Sequence, residues 1–268
     1  MIALPALAIV AGGGVFPAMI AKAVSQAGTK VVVVHLQNDS DQFAGYPSMS
    51  ARPEQMSVIF AALKERGISD LVLIGHMNRP KISDLRPDWF TIKLLPRIVW
   101  QLAFGGDDAL LRSVRTMLEK QGFRLHAAND FIKDLTAPAG AFSRAKPDDA
   151  QMVDIRMGID AARAHGAKDA GQAVVVRRGA VTGREEVTGT DALIRSFVTA
   201  DGAILVKMAK PQQDRALDLP TIGPDTVRLC AERGFAGIAV EAGAPLVANR
   251  EEVTKLADQY GLFLVGVK

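Results

Sequence analysis

At 268 residues the chain sits near the size at which one hydrophobic core stops growing, so two domains of about 130 residues each are expected. About half of the residues are apolar and a quarter charged, which excludes a disordered chain. The net charge of +3 is small, the basic residues are scattered, and only two Trp and two Tyr are present to stack on bases, so no nucleic-acid partner is expected.

The first residues are apolar but lack a charged leader and a small-residue cleavage site, and they read as a buried strand rather than a signal peptide. That strand is expected over Ala6–Ala11. A helix follows over Phe16–Ala27, with Pro17 in its first turn, where a missing N–H costs little. Lys30–Leu36 is a β-branched buried run, Pro53–Arg66 an amphipathic helix ending at Gly67, and Asp70–His76 a third buried strand. Pro87 and Pro96 break Leu85–Gly106 into short helices; Asp107–Gly122 is a clear helix, and Phe123–His126 returns to the sheet. Continuous apolar strands between helices imply a parallel sheet covered on both faces, a Rossmann-like N-terminal α/β domain over 1–132.

Residues 133–149 mix proline, glycine and charge without a period, and read as a linker. The second domain, 150–268, is expected to be a mixed-sheet α/β unit with the catalytic groups. It opens with a helix over Ala150–His165, followed by a hairpin of Gln172–Arg178 and Ala180–Thr182 turning at Arg178-Gly179. Helices are expected at Asp191–Val198, Asp225–Arg233 and Arg250–Tyr260, and strands at Ala203–Met208, Ala236–Glu241 and Leu262–Val267. The fold class is thus α/β, two domains with an interdomain cleft. Cys230 is the single cysteine, which rules out a disulfide framework and suits a reducing cytosol. No run reaches the ~20 apolar residues of a membrane span.

Ligands of open parallel sheets bind beyond the carboxyl ends of the strands. Gly12, Gly13 and Gly14 follow the first strand and open a helix, where backbone without Cβ can approach an anion; a plain tight turn is the alternative. His76, Asn78 and Arg79 follow the third strand, a cluster suited to a phosphate or ribose or, failing that, a solvated polar loop. Lys207 to Thr226 carries the densest signal. Lys207 and Lys210 are suited to phosphate oxygens, and Asp214, Asp218 and Asp225 to holding Mg2+ or orienting water, in a loop stiffened by Pro211, Pro220 and Pro224. Asp225 is alternatively a helix cap, and Asp214 and Asp218 turn acids beside Arg215. Thr188-Gly189-Thr190-Asp191 is a second small-residue turn into a helix, an anion site or a capping motif. Glu241 ends a buried strand and reads as a structural acid, and His35 as a loop histidine with its own partners.

AGGGVFP, GHMNRP, GDDALLRSV, LEKQGF, DAGQAVVVRRG, GTDALIR, LVKMAKPQQDRALDLPTIGPDT and GIAVEAGAPLV together resemble the LpxI-type UDP-2,3-diacylglucosamine pyrophosphatases, from about residue 7 to the C-terminus. The resemblance implies hydrolysis of UDP-2,3-diacylglucosamine to UMP and 2,3-diacylglucosamine 1-phosphate (lipid X), with Mg2+, in lipid A synthesis. It places the enzyme at the cytosolic surface of a Gram-negative inner membrane, held peripherally. Asp225 would then hold the metal, with Asp214 or Asp191, or else activate water; Lys207 and Lys210 would stabilise phosphoryl charge. Thr188 departs from the family pattern of an acid before GTD, whose task would fall to Glu185, to Glu186 or to no residue here. The acyl chains need an apolar groove, for which Trp89–Phe104 and the surroundings of Phe142 are candidates, core packing being the other explanation. A homodimer is the commonest state of a soluble enzyme. A non-catalytic carrier of nucleotide-sugar or lipid is one rival reading. A nicotinamide-dependent oxidoreductase is another, although Pro17 stands in place of the third glycine of that fingerprint and Asp39 lies beyond the second strand.

Overall fold

Apolar runs of five or six residues, Ala6–Ala11, Lys30–His35 and Asp70–Ile74, form the centre of one parallel sheet in the N-terminal half. The computed structural model describes residues 4–36, 40–76, 85–94, 106–132, 135–214, 217 and 219–268. The chain forms two units, Met1–Lys133 with Asp214–Asp218, and Asp134–Gln213 with Leu219–Lys268.

In the first unit β1 (Ala6–Ala11), β2 (Lys30–His35), β3 (Ser48–Ser50), β4 (Asp70–Ile74) and β5 (Arg124–Leu125) form a sheet in the order β3-β2-β1-β4-β5. All four pairings are parallel, with Ala8 opposite Val32 on one side and Leu71 on the other. The helices include α1 (Phe16–Gln26), α2 (Met56–Glu65) and α3 (Gly106–Lys120), and residues 89–94 are also helical. Ala8, Val34 and Leu71 pack against Ile59, Phe60 and Leu63 of α2 and Leu118 of α3. From β1 the chain steps to β2 on one flank, then returns to β4 on the other. The strand order therefore reverses at β1 and β4, the point where such sheets take their ligands.

The second unit holds a six-stranded mixed sheet, order β6-β13-β11-β9-β7-β8, and a two-stranded parallel ladder, β10-β12. Its strands are β6 (Gly140–Ala141), β7 (Ala173–Arg177), β8 (Ala180–Arg184), β9 (Ile204–Lys207), β10 (Thr221–Ile222), β11 (Gly237–Glu241), β12 (Leu246–Val247) and β13 (Phe263–Val267). Between them lie α4 (Asp149–Gly166), α5 (Thr190–Arg195), α6 (Pro224–Glu232) and α7 (Arg250–Tyr260). Strand alternation divides the core. Val174, Val176, Ile204 and Val206 meet Ile155, Ile159 and Ala162 of α4. Val175, Leu205, Ile238 and Leu264 meet Ile194, Val227, Cys230, Val253 and Ala257 of the helices on the other face. The β7–β8 turn is Arg178-Gly179, both at positive φ (49° and 75°), the twist that a two-residue hairpin favours.

The stretch expected as a linker, 133–149, departs from that expectation within the second unit. Gly140 and Ala141 pair antiparallel with Gly266 and Val265, and Asp148 caps α4 by accepting the Gln151 N–H at 2.7 Å. A two-residue strand carries no period, so composition alone reads it as loop. No helix among the described residues is long and apolar enough to cross a membrane.

Candidate functional site

In the first unit Gly12–Gly14 and His76 come together. The Gly12 N–H donates to the Ile74 carbonyl at 2.8 Å, the Gly13 N–H to the His76 carbonyl at 2.7 Å, and the His76 N–H back to Gly13 at 3.0 Å. The two turns lock so closely that a Cβ on Gly12 would lie 2.4 Å from the His76 carbonyl, and one on Gly75 2.7 Å from that of Gly13. Gly14, at φ 100°, has the His76 Nδ1 3.6 Å from where its Cβ would stand. Since Gly12 and Gly13 spend their N–H groups on this lock, an anion here would be met by the first-turn amides of Phe16 and Ala18 in α1, Pro17 having no N–H. A helix supplies them no internal partner, and Val15 supplies no side-chain cap. Asn78 and Arg79 lie outside the described residues.

In the second unit the charged groups gather at the carboxyl end of β9. Lys207 is the last residue of that strand, and alternation turns its side chain toward α5 and α6. Its ammonium donates to the Thr190 hydroxyl at 3.0 Å and the Thr221 carbonyl at 2.9 Å. Thr190 in turn donates to Glu185 at 2.7 Å, whose other carboxylate oxygen accepts the Gln172 N–H at 2.8 Å. Lys210 is held by Asp169 at 2.6 Å, and Gln212 by the Gly166 carbonyl at 2.8 Å, fastening the loop after β9 to the end of α4. Glu241, ending β11, accepts the Ala209 N–H at 3.0 Å, so it braces the same loop.

Asp225 occupies the first turn of α6, beginning at Pro224, where the helix dipole favours a carboxylate. Its side chain is 89% exposed and pairs with Arg228 at 2.8 Å; Arg228 also pairs with Glu252 at 2.6 Å. Those bonds, Glu252 first and Asp225 second, raise the Arg228 pKa further. Asp191 lies near enough to add, after burial, to the upward push on the Cys230 thiol of α6. Thr188, Gly189, Thr190 and Asp191 lead into an α5 only six residues long. Asp214 belongs to the first unit, its carboxylate gripped by Arg115 at 2.8 Å through both oxygens. Asp218 and Arg215 lie outside the described residues, as does 95–104 of the candidate acyl groove; Trp89 is exposed, and Phe142 packs on the core of the second sheet.

Spacing did not single out Asp169, His165 or Gln172, because each finds its partner only through the tertiary fold. Asp169 sits at φ 55° in the glycine-containing turn after α4.

Two comparisons bear on this arrangement. Residues 6–135 match the model of the LpxI N-terminal domain, and residues 138–265 that of the LpxI C-terminal domain. The chain is also 37% identical, over 272 residues covering 97% of each chain, to the protein named UDP-2,3-diacylglucosamine pyrophosphatase LpxI from Caulobacter vibrioides.

Proposed function

The chain belongs to the LpxI family, and from that premise we propose that it hydrolyses the diphosphate of UDP-2,3-diacylglucosamine to UMP and 2,3-diacylglucosamine 1-phosphate. Water adds to one phosphorus, the phosphoanhydride bond breaks, and the bridging oxygen leaves with the other phosphate. The carrying observation is full-length likeness to a pyrophosphatase of that name. The geometry adds support. A buried lysine closes β9, and the carboxylate of Asp225 stands in the first turn of α6, four residues beyond the carbonyl that this lysine holds.

The expected Mg2+ fits one carboxylate of this kind. Magnesium commonly takes one or two protein carboxylates and completes its shell with substrate phosphates and water. Among the described residues no three acidic, His or Cys side chains form a protein-only cage. Asp225, exposed and at a helix start, would hold an ion shared with the diphosphate, and the ion would neutralise phosphate charge. In the alternative reading Asp225 activates the attacking water, and the same residue carries the chemistry. Lys207 supplies a fixed positive charge to the phosphoryl oxygens, and the α1 amides beside His76 offer an anion site in the first unit. An acylated substrate brings the lipid A setting and peripheral contact with the membrane surface into the same reading.

Purified protein incubated with the UDP-lipid and Mg2+, with and without chelator, is expected to release UMP and the lipid 1-phosphate only when the metal is available. Asp225→Ala should keep its fold and substrate affinity while turnover falls by ~10²–10³ or more, the usual loss when one preorganised charged group is removed. Turnover near that of the wild type would remove Asp225 from the mechanism.

A further inference from the structure

Among the polar residues of the second unit that are more than nine-tenths buried, Glu185 (6% exposed), Thr190 (8%) and Lys207 (6%) lie in one bonded chain. Burying a lone ammonium or carboxylate costs several kcal/mol, so such groups persist only when partnered. Here the partners are joined through a hydroxyl. An ammonium has only donors and a carboxylate only acceptors, so the direction of both bonds is forced. Lys207 donates to Thr190 at 3.0 Å, and Thr190 donates to Glu185 at 2.7 Å.

Glu185 is itself tied down on several sides, its N–H donating to the Ala173 carbonyl at 2.9 Å. Its second carboxylate oxygen accepts the Gln172 N–H at 2.8 Å, and its backbone carbonyl accepts from His165 Nε2 at 2.6 Å. Since a carbonyl only accepts, that ring nitrogen carries the proton. At the other end Lys207 holds the Thr221 carbonyl at 2.9 Å. Thr221 lies in β10, and the chain runs from there through Gly223 into the first turn of α6, where Asp225 stands. One rigid chain of bonds thus reaches from the end of β8 to the lysine, and through it to the segment that launches α6.

We propose that Glu185, acting through Thr190, is a positioning residue that fixes the Lys207 ammonium for the diphosphate. The inference rests on the hydrolysis proposed above. Glu185 touches no substrate in this scheme. It polarises the Thr190 hydroxyl so that its lone pair, not its proton, faces Lys207. Without that bias the hydroxyl rotates, and the ammonium loses a tether that helps define its direction.

The test is a double-mutant comparison of kcat and KM for Mg2+-dependent hydrolysis of the UDP-lipid, with circular dichroism melts as the check on folding. Thr190→Val keeps the shape and deletes the hydroxyl; kcat is expected to fall about ten- to a hundredfold, as misplaced groups in active sites do, with KM little changed. Thr190→Ser should restore most of the loss. Added to Lys207→Met, Thr190→Val should cause little further loss, because the residue acts through that lysine. If Thr190→Val melts early, Glu185→Gln, equal in size but uncharged, carries the same comparison. An active wild type with unchanged kcat in these variants, or losses that multiply fully in the double mutant, overturns the positioning role and leaves the hydrolase reading standing. An inactive wild type removes both.

Discussion

Asp70 opens β4 with its side chain only 2% exposed, a position a carboxylate holds only when partners meet it. Arg124 reaches it through Nη2 at 2.7 Å and Nε at 2.9 Å, and His126 through Nε2 at 2.8 Å. The Arg124 hydrogen bond is the largest influence; burial opposes it, and His126 and Ser69 reinforce it, so the carboxyl is held down to about 2 from 3.8. A depressed acid stabilises the fold above its unfolded pKa, and that contribution disappears as pH falls through the folded value. For Asp70 the window is therefore from about pH 4 down to pH 2. The contribution is at most about 2 kcal/mol, since Arg124 is largely solvated and its charge screened. Urea unfolding should show Asp70→Asn less stable than wild type at pH 6, with the gap narrowing between pH 4 and pH 2. A gap constant over that range would mean that packing, not ionisation, sets the cost.

At the level of elements, helix α4 lies on the second sheet through Gly158. A Cβ there would stand 2.5 Å from Val206 Cγ2 and 3.1 Å from Val176 Cγ2. Alanine would gain up to about 1 kcal/mol in helix propensity, but overpacking a sheet contact costs about 1–3 kcal/mol, so the clash is expected to win. Gly158→Ala should lower the melting midpoint, and Val206→Ala in the same chain should recover part of it; an unchanged midpoint would show that α4 shifts freely on the sheet. Elements whose stability comes from a long apolar period were legible beforehand. β1 and α7 occupy the expected residues, and the β7–β8 hairpin turns at Arg178-Gly179 as the glycine suggested. β6, β10 and β12 were not, because two residues have no period and pair only through neighbours supplied by the fold. The candidate site divides in the same way. Lys207 was visible as the polar end of an apolar run, and Asp225 as an acid at a helix start. The Glu185–Thr190–Lys207 chain was not, since its link to Lys207 exists only once α5 and β9 are assembled.

For the whole molecule, the division into units is not a single cut. Five residues of the later half, Asp214–Asp218, belong with Met1–Lys133, and Arg115 of α3 grips Asp214 at 2.8 Å. Residues 1–133 expressed alone should therefore melt below the first unit of the intact chain, and supplying residues 134–268 in trans should raise the midpoint. Equal midpoints with and without the second fragment would show that the five residues add nothing. The same threading orders events on the ribosome. The N-terminal unit emerges first, but the piece that completes it is made roughly eighty residues later. At ~5–20 residues per second that is a delay of about 4–16 s, during which the nascent unit waits unfinished while most of its neighbour is translated.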